Sequence, residues 1–192
     1  KNFINKKYCG NLKDNFINVK KKLLKNSKKF NIIITAGGAS VGDEDHLISA
    51  LSDLWIIFFW RAAIKPGRPI AFGRINNCFV ICLPGNPVSV QLLYAMLIHP
   101  LVEKLSGGIF KLPNSYKIEA DFIMNKKTKR MEWLRVIKRK FRNKDIASKF
   151  PKQGSGMISS ISYSDGIIEI NENISKIKKG DIFEFFDFDN LF

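Results

Sequence analysis

Residues 35–45, Thr35-Ala36-Gly37-Gly38-Ala39-Ser40-Val41-Gly42-Asp43-Glu44-Asp45, and residues 83–89, Leu83-Pro84-Gly85-Asn86-Pro87-Val88-Ser89, are two glycine-rich turns that each follow an apolar run. The pattern is strand, turn, helix, twice over. Ile32, Ile33 and Ile34 read as a strand buried on both faces, and the glycines after it let backbone N–H groups approach a ligand with no Cβ in the way. A helix that follows such a turn adds the positive end of its dipole. Between the turns lies Ile64-Lys65-Pro66-Gly67-Arg68-Pro69, where two prolines and a glycine hold two cations in a stiff loop. These three segments predict an oxyanion or phosphate pocket.

The rest of the chain predicts an α/β fold with a small β domain after it. Residues 15–29 carry Phe16, Val19, Leu23 and Leu24 at helical spacing, with lysines on the other face and Asp14 where an N-cap belongs. Strands are predicted over 30–35, 56–62 and 79–83, and helices over 46–54 and from Pro87, disturbed at Pro100, to about Gly107-Gly108. Strands alternating with helices imply a parallel sheet. After Pro113 short β-rich runs alternate with polar turns, and 138–149 reads as a charged hairpin or exposed loop. The expected domains are therefore 1–112 and 113–192.

Composition narrows the function classes. The chain has 192 residues, 45% of them hydrophobic, which suits a globular protein with a sizeable core. No apolar run reaches the ~18–20 residues of a membrane span, and residues 1–31 are polar and lysine-laden rather than signal-like. A cytoplasmic location with no membrane partner is the expectation. The formal charge of +15 could suggest nucleic acid, but the lysines are dispersed, so no nucleic-acid partner is expected. Cys9, Cys78 and Cys82 lack metal-ligand spacing and read as reduced core thiols. His46 and His99 have no partner pattern, and Trp55, Trp60 and Trp133 read as core.

The GGxSVGxxD turn, the KPGRP loop and the PGNPVS turn, in that order, resemble the MoeA-type molybdopterin molybdenumtransferases, a family that includes the C-terminal domain of gephyrin. The resemblance continues through Arg130-Met131-Glu132-Trp133-Leu134-Arg135 and Gln153-Gly154-Ser155-Gly156-Met157. It implies a three-layer α/β/α molybdopterin-binding domain, incomplete at its N-terminus, followed by a small β-barrel-like domain. In the family a strand, an acidic GDE turn, a helix and two further domains lie upstream of the point where Lys1 stands, so the chain reads as an N-terminally truncated member.

The resemblance also implies chemistry: insertion of molybdate into adenylylated molybdopterin, release of AMP, a role for Mg²⁺, and a homodimer with its cleft between subunits. By the same resemblance Asp45 and Lys65 are catalytic, and Asp14 and Asp45 face the metal. Lys65, Arg68, Arg135 and Ser155 gather molybdate, while Gly37, Gly38, Ser40, Pro84, Gly85, Asn86, Pro87 and Ser89 hold the pterin phosphate and nucleotide. Arg68 departs from the family's usual lysine, and a planar guanidinium is not equivalent to a point charge. From the residues alone other readings stay open. Asp45 can simply complement a helix dipole, Asp14 can be a cap, and Arg135 can be a surface arginine. Two alternative functions are a molybdopterin adenylyltransferase-like enzyme, whose turns read GGTG and PGSP, and a non-catalytic gephyrin-like scaffold.

Overall fold

The computed structural model describes residues 5–11, 15–37, 54, 56–154 and 156–192. Packing divides the chain into two compact units, Lys1–Ala62 with Gly67–Gly85, and Ala63–Pro66 with Asn86–Phe192. The helix after Asn86 thus counts with the C-terminal unit, whereas the sequence texture drew the line at 112/113.

In the first unit, helix α1 (Phe16–Ser27) is capped by Asn15, whose side chain accepts from the N–H groups of Ile17 and Asn18. Asn15 takes the cap expected of Asp14, and Asp14 itself lies outside the described residues. The helix buries Val19 and Leu23 against Ala71, Ile75, Val80 and Cys82, the i, i+4 spacing that lays two side chains on one face. The sheet beneath it consists of β1 (Ile32–Ala36), β2 (Ile56–Trp60), β4 (Ala71–Ile75) and β5 (Cys78–Leu83), in the order β1-β5-β4-β2.

Only β1 and β5 are parallel; β5/β4 and β4/β2 are antiparallel. The sheet is therefore mixed, not parallel. The reason is a β4–β5 hairpin over Asn76-Asn77, with Asn76 at φ 53°, a conformation asparagine tolerates in tight turns. Among the described residues β1 stands at one edge of the sheet, and Ile34 is 42% exposed rather than buried on both faces. The other edge strand, β2, exposes all five of its residues. Trp60 is accordingly not core, and the Arg61 guanidinium lies 4.3 Å from its ring centroid. The helix expected over 46–54 falls outside the described residues apart from Leu54.

The second unit contains β3 (Ile64–Lys65) and a long helix, α2 (Pro87–Leu105). Asn86 caps α2, accepting from the Ser89 N–H, and Pro87 sits in the first turn, where its missing donor costs nothing. The helix does not break at Pro100. It widens into a π turn at Tyr94–Ile98, with the His99 N–H reaching Tyr94 C=O, and then continues. It ends at Gly107 (φ 89°), where the N–H groups of Gly107 and Gly108 donate to the carbonyls of Lys104 and Glu103, the bonding pattern of a Schellman stop. By length and composition α2 could cross a membrane, although no such run was read in the sequence. Of its most apolar window 44% is buried inside the fold, and the core helix of a soluble domain meets the same test.

The remaining strands are β6 (Tyr116–Ala120), β7 (Met124–Asn125), β8 (Met131–Phe141), β9 (Lys144–Lys149), β10 (Gly166–Ile170), β11 (Lys176–Ile177) and β12 (Ile182–Asp187), with short helices α3 (Ser159–Ser162) and α4 (Phe188–Leu191). Strands β10, β12, β6, β9 and β8 pair in that order, and β8 returns to β10, so five strands close a barrel. Ile118, Leu134, Val136, Ile168, Ile170 and Phe185 are among its core residues. The charged stretch 138–149 is a hairpin turning at Arg142 and Asn143, both at positive φ. Strand β3 lies parallel to the start of β8, with Lys65 opposite Glu132. Among the cysteines, Cys78 and Cys82 are buried but Cys9 is exposed, so only two of the three are core thiols.

Candidate oxyanion site

In the first unit β1 and β5 run in register, and Ala36 stands opposite Leu83 at their shared end. The Gly37 N–H donates to Leu83 C=O at 3.0 Å, and Gly37 has φ 90°, a backbone that only glycine adopts freely. A Cβ added at Gly85 would come 3.5 Å from the Gly37 Cα. The two glycine turns therefore stack at the carboxyl end of a parallel strand pair, the edge at which open α/β sheets bind ligands. Pro84 is buried and shapes the turn, whereas Gly85 and Pro87 are exposed. Gly38, Ser40 and Asp45 lie outside the described residues. Arg68 is exposed in the loop, where its carbonyl accepts from the Ala62 N–H at 3.0 Å.

In the second unit the motif at 130–135 is tied to the turn at 153–157. The Arg135 N–H donates to Gln153 Oε1 at 3.2 Å, and Gln153 Nε2 donates to Arg135 C=O at 2.8 Å and to Phe150 C=O at 2.9 Å. Gln153 thus fixes both strand and turn, a part the sequence reading had not assigned to it. The Arg135 guanidinium is 2% exposed, and Nη2 donates to Gly154 C=O at 3.4 Å. Its buried Nε has no hydrogen-bond partner among the described residues. Burial pushes the Arg135 pKa down from its ordinary value, and the nearby charge of Glu132 opposes that shift. A buried, incompletely satisfied cation is costly on its own and is stabilised by an arriving anion.

Asn86 is also part of this unit. Its Oδ1 is engaged as the α2 cap with the N–H of the buried Ser89, which leaves its amide Nδ2 near the turn, 4.0 Å from where a Gly156 Cβ would stand. The Ser89 N–H, expected on a phosphate, is therefore already paired. Ser155 lies outside the described residues, between the two glycines that frame it.

Lys65 is placed differently. Its Nζ donates to Glu132 Oε1 at 2.8 Å, with side chains 49% and 9% exposed. The Lys65–Pro66 peptide is cis. Register along β8 sets Glu132 beside Ile170 and Arg135 beside Ile167. Because alternate residues face opposite sides of a strand, Glu132 and Arg135 project to opposite faces. The structure joins Arg135 with the glycine turn and joins Lys65 with Glu132, but it bonds neither pair to the other. Glu132, like Gln153, was visible in a motif yet carried no residue-level signal of its partner.

Residues 4–104 match the family described as "Probable molybdopterin binding domain", and residues 117–188 match "MoeA C-terminal region (domain IV)". The chain belongs to the molybdopterin-binding domain family. Among its relatives, the molybdopterin molybdenumtransferase of Haemophilus influenzae is 35% identical over 127 residues, which make up 66% of this chain and 31% of that protein. Gephyrin of Dictyostelium discoideum is 35% identical over 114 residues, 51% of this chain and 16% of gephyrin. Among solved structures, a molybdopterin biosynthesis MoeA protein from Pyrococcus horikosii aligns with TM-score 0.70 at 25% identity, over 89% of this chain and 40% of that one. A molybdenum cofactor biosynthesis protein from Pyrococcus furiosus shares the fold, with TM-score 0.69 at 21% identity over 91% of this chain and 55% of that one. The chain spans less than a third of the length of the two curated relatives named here.

Proposed function

We propose that this chain handles molybdate for molybdenum cofactor assembly, as part of an enzyme that inserts the metal oxyanion into adenylylated molybdopterin with release of AMP. The observation that carries the proposal is Arg135, a buried guanidinium held by Gly154 with its Nε unpartnered among the described residues. Molybdate and a phosphoanhydride repel each other, so oriented cations and N–H dipoles must be in place before they meet. Arg135 offers a fixed fork to the oxyanion, Gln153 holds the strand that carries it, and the Asn86 amide adds a donor. The stacked turns at Gly37 and Gly85 suit the phosphate of the pterin or nucleotide. Asp45, Ser40, Gly38 and Ser155 keep the roles that the family motif implies.

Among the described residues no group of three His, Cys, Asp or Glu could hold a metal ion. Asp14 and Asp45 remain the proposed Mg²⁺ carboxylates on the strength of the motif alone, and no step is routed through the ion. We further propose a cytoplasmic homodimer. Its support is the exposed apolar edge strand β2, which a second subunit would cover. The separate family matches at 4–104 and 117–188 support two domains divided near 112/113.

The test is calorimetric titration of tungstate or molybdate into the full chain. Arg135→Ala should weaken binding at least tenfold, since a charge-assisted hydrogen bond is worth ~1.5–3 kcal/mol. Arg135→Lys keeps the charge without the fork and should fall between. Equal loss on replacing the exposed Lys117 would reduce the effect to net charge and end the assignment.

A further inference from the structure

We propose that helix α1 and the segment beside it form a docking face for single-stranded nucleic acid. Residues 5–37 hold nine lysines against one acid, Asp14. Residues 113–192 hold sixteen Lys and Arg against eleven Asp and Glu, so the lysine richness of the whole chain does not account for the imbalance. Lysines that look dispersed along the sequence are gathered by the fold. Val19 and Leu23 are buried against the sheet, and Lys21, Lys25, Lys28 and Lys29 stand in solvent. Lys21 and Lys25 are one helical turn apart, ~6 Å along the axis, and Lys28 continues the row.

The segment at residues 5–11 extends that row. It runs beside the helix, where Lys22 Nζ donates to Asn11 C=O at 3.5 Å and Cys9 Sγ stands 4.0 Å from Asn26 Oδ1. Lys6 and Lys7 are exposed there, and so is Tyr8, at 81%. Among the described residues of 5–37 no carboxylate offsets these cations. The negative end of the helix dipole favours Lys25 in the last turn and Lys28 at the cap, but not Lys21 earlier in the helix. Like charges one turn apart also repel. A polyanion laid along the face relieves that repulsion.

The composition of the face selects its occupant. A bilayer takes up an amphipathic helix through its apolar side, and that side of α1 is already packed on the sheet. Protein partners meet at aromatic, methionine and arginine anchors, and lysine is depleted in such interfaces. A basic stripe along a helix is instead the footprint of nucleic-acid binding. Residues 5–37 contain no arginine, the commonest reader of base edges, so the lysines meet phosphates irrespective of sequence. The exposed Tyr8 ring gives an unpaired base a surface to stack on, which favours a single strand over a duplex.

The experiment is fluorescence anisotropy of a labelled oligouridylate of about 20 nucleotides, longer than one typical binding site, titrated with the full chain at several salt concentrations. Saturable binding is expected, with log K falling against log salt by ~0.7 for each phosphate neutralised. Lys21→Gln/Lys25→Gln/Lys28→Gln keeps the helix propensity of lysine; it should lose about two units of that slope and at least about tenfold in affinity. The corresponding triple Glu variant should lose more. Lys104→Glu/Lys111→Glu/Lys117→Glu, an equal change of net charge at exposed lysines elsewhere, should stay within about threefold of the parent. Tyr8→Ala should weaken binding severalfold and leave the salt slope unchanged, because stacking releases no counterions. Absence of saturable binding, equal losses in the two triple Glu variants, or an unchanged salt slope in the triple Gln variant would overturn the proposal. So would tighter binding of an RNA duplex of the same length, or polyglutamate or phosphatidylserine vesicles displacing the parent chain as well as unlabelled oligouridylate does.

Discussion

Lys65 illustrates how a cation that looks free in sequence acquires a partner in the fold. Lys65→Ala leaves Glu132, only 9% exposed, without its counterion, so its effect on anion binding mixes with an effect on stability. The melting temperature of Lys65→Ala should fall by a few degrees, and adding Glu132→Gln should restore most of it; thermal unfolding of the three variants checks this. Lys138 is a second case. Within a stretch read from sequence only as a charged hairpin or exposed loop, it forms an ion pair with Asp187 at 2.5 Å and a hydrogen bond from its N–H to Asp165 at 2.7 Å. Asp187 raises the Lys138 pKa above its ordinary value. That contribution is fully present below the unfolded lysine pKa and is lost as pH rises through the higher folded one. Chemical denaturation above pH 10 should therefore show the parent losing stability that Lys138→Met does not lose. Among the thiols, burial pushes Cys78 up to about 11, leaving about a thousandth as thiolate at pH 8. Alkylation of the native protein at that pH should label the exposed Cys9 first, as mass spectrometry of the digests will report.

At the scale of elements, local signals were legible and pairings were not. The helix from Pro87, its stop at Gly107-Gly108 and the strand at Met131–Phe141 follow from residues a few positions apart. The mixed sheet depends on the Asn76-Asn77 hairpin, whose turn carries no glycine, and it was missed. Barrel closure is non-local: nothing within Gly166–Ile170 announces that it pairs with both β8 and β12. Gly166 is where that closure is tightest. A Cβ there would overlap the Phe186 carbonyl oxygen and approach the Phe185 ring to 2.5 Å. Gly166→Ala should cost at least ~1–3 kcal/mol through overpacking, measurable as a shift in the urea midpoint. Gly180→Ala, where no atom lies within 4 Å, should lose only what its positive φ demands.

For the whole molecule, the motifs that carry the family were readable because chemistry concentrates in short turns, whereas the partners of Lys65 and Arg135 came from strand register. The proposed dimer predicts that light scattering at micromolar concentration returns about twice the 21.9 kDa chain mass, and that Phe58→Lys/Trp60→Lys on β2 returns a monomer. The central claim is that Arg135 and the Gln153–Met157 turn bind the metal oxyanion. The most direct measurement is anomalous diffraction at the tungsten edge from crystals of the chain grown with tungstate. The account predicts a peak within hydrogen-bonding distance of the Arg135 guanidinium, absent from Arg135→Ala crystals; tungsten bound only among surface lysines, with Arg135 untouched, would contradict it.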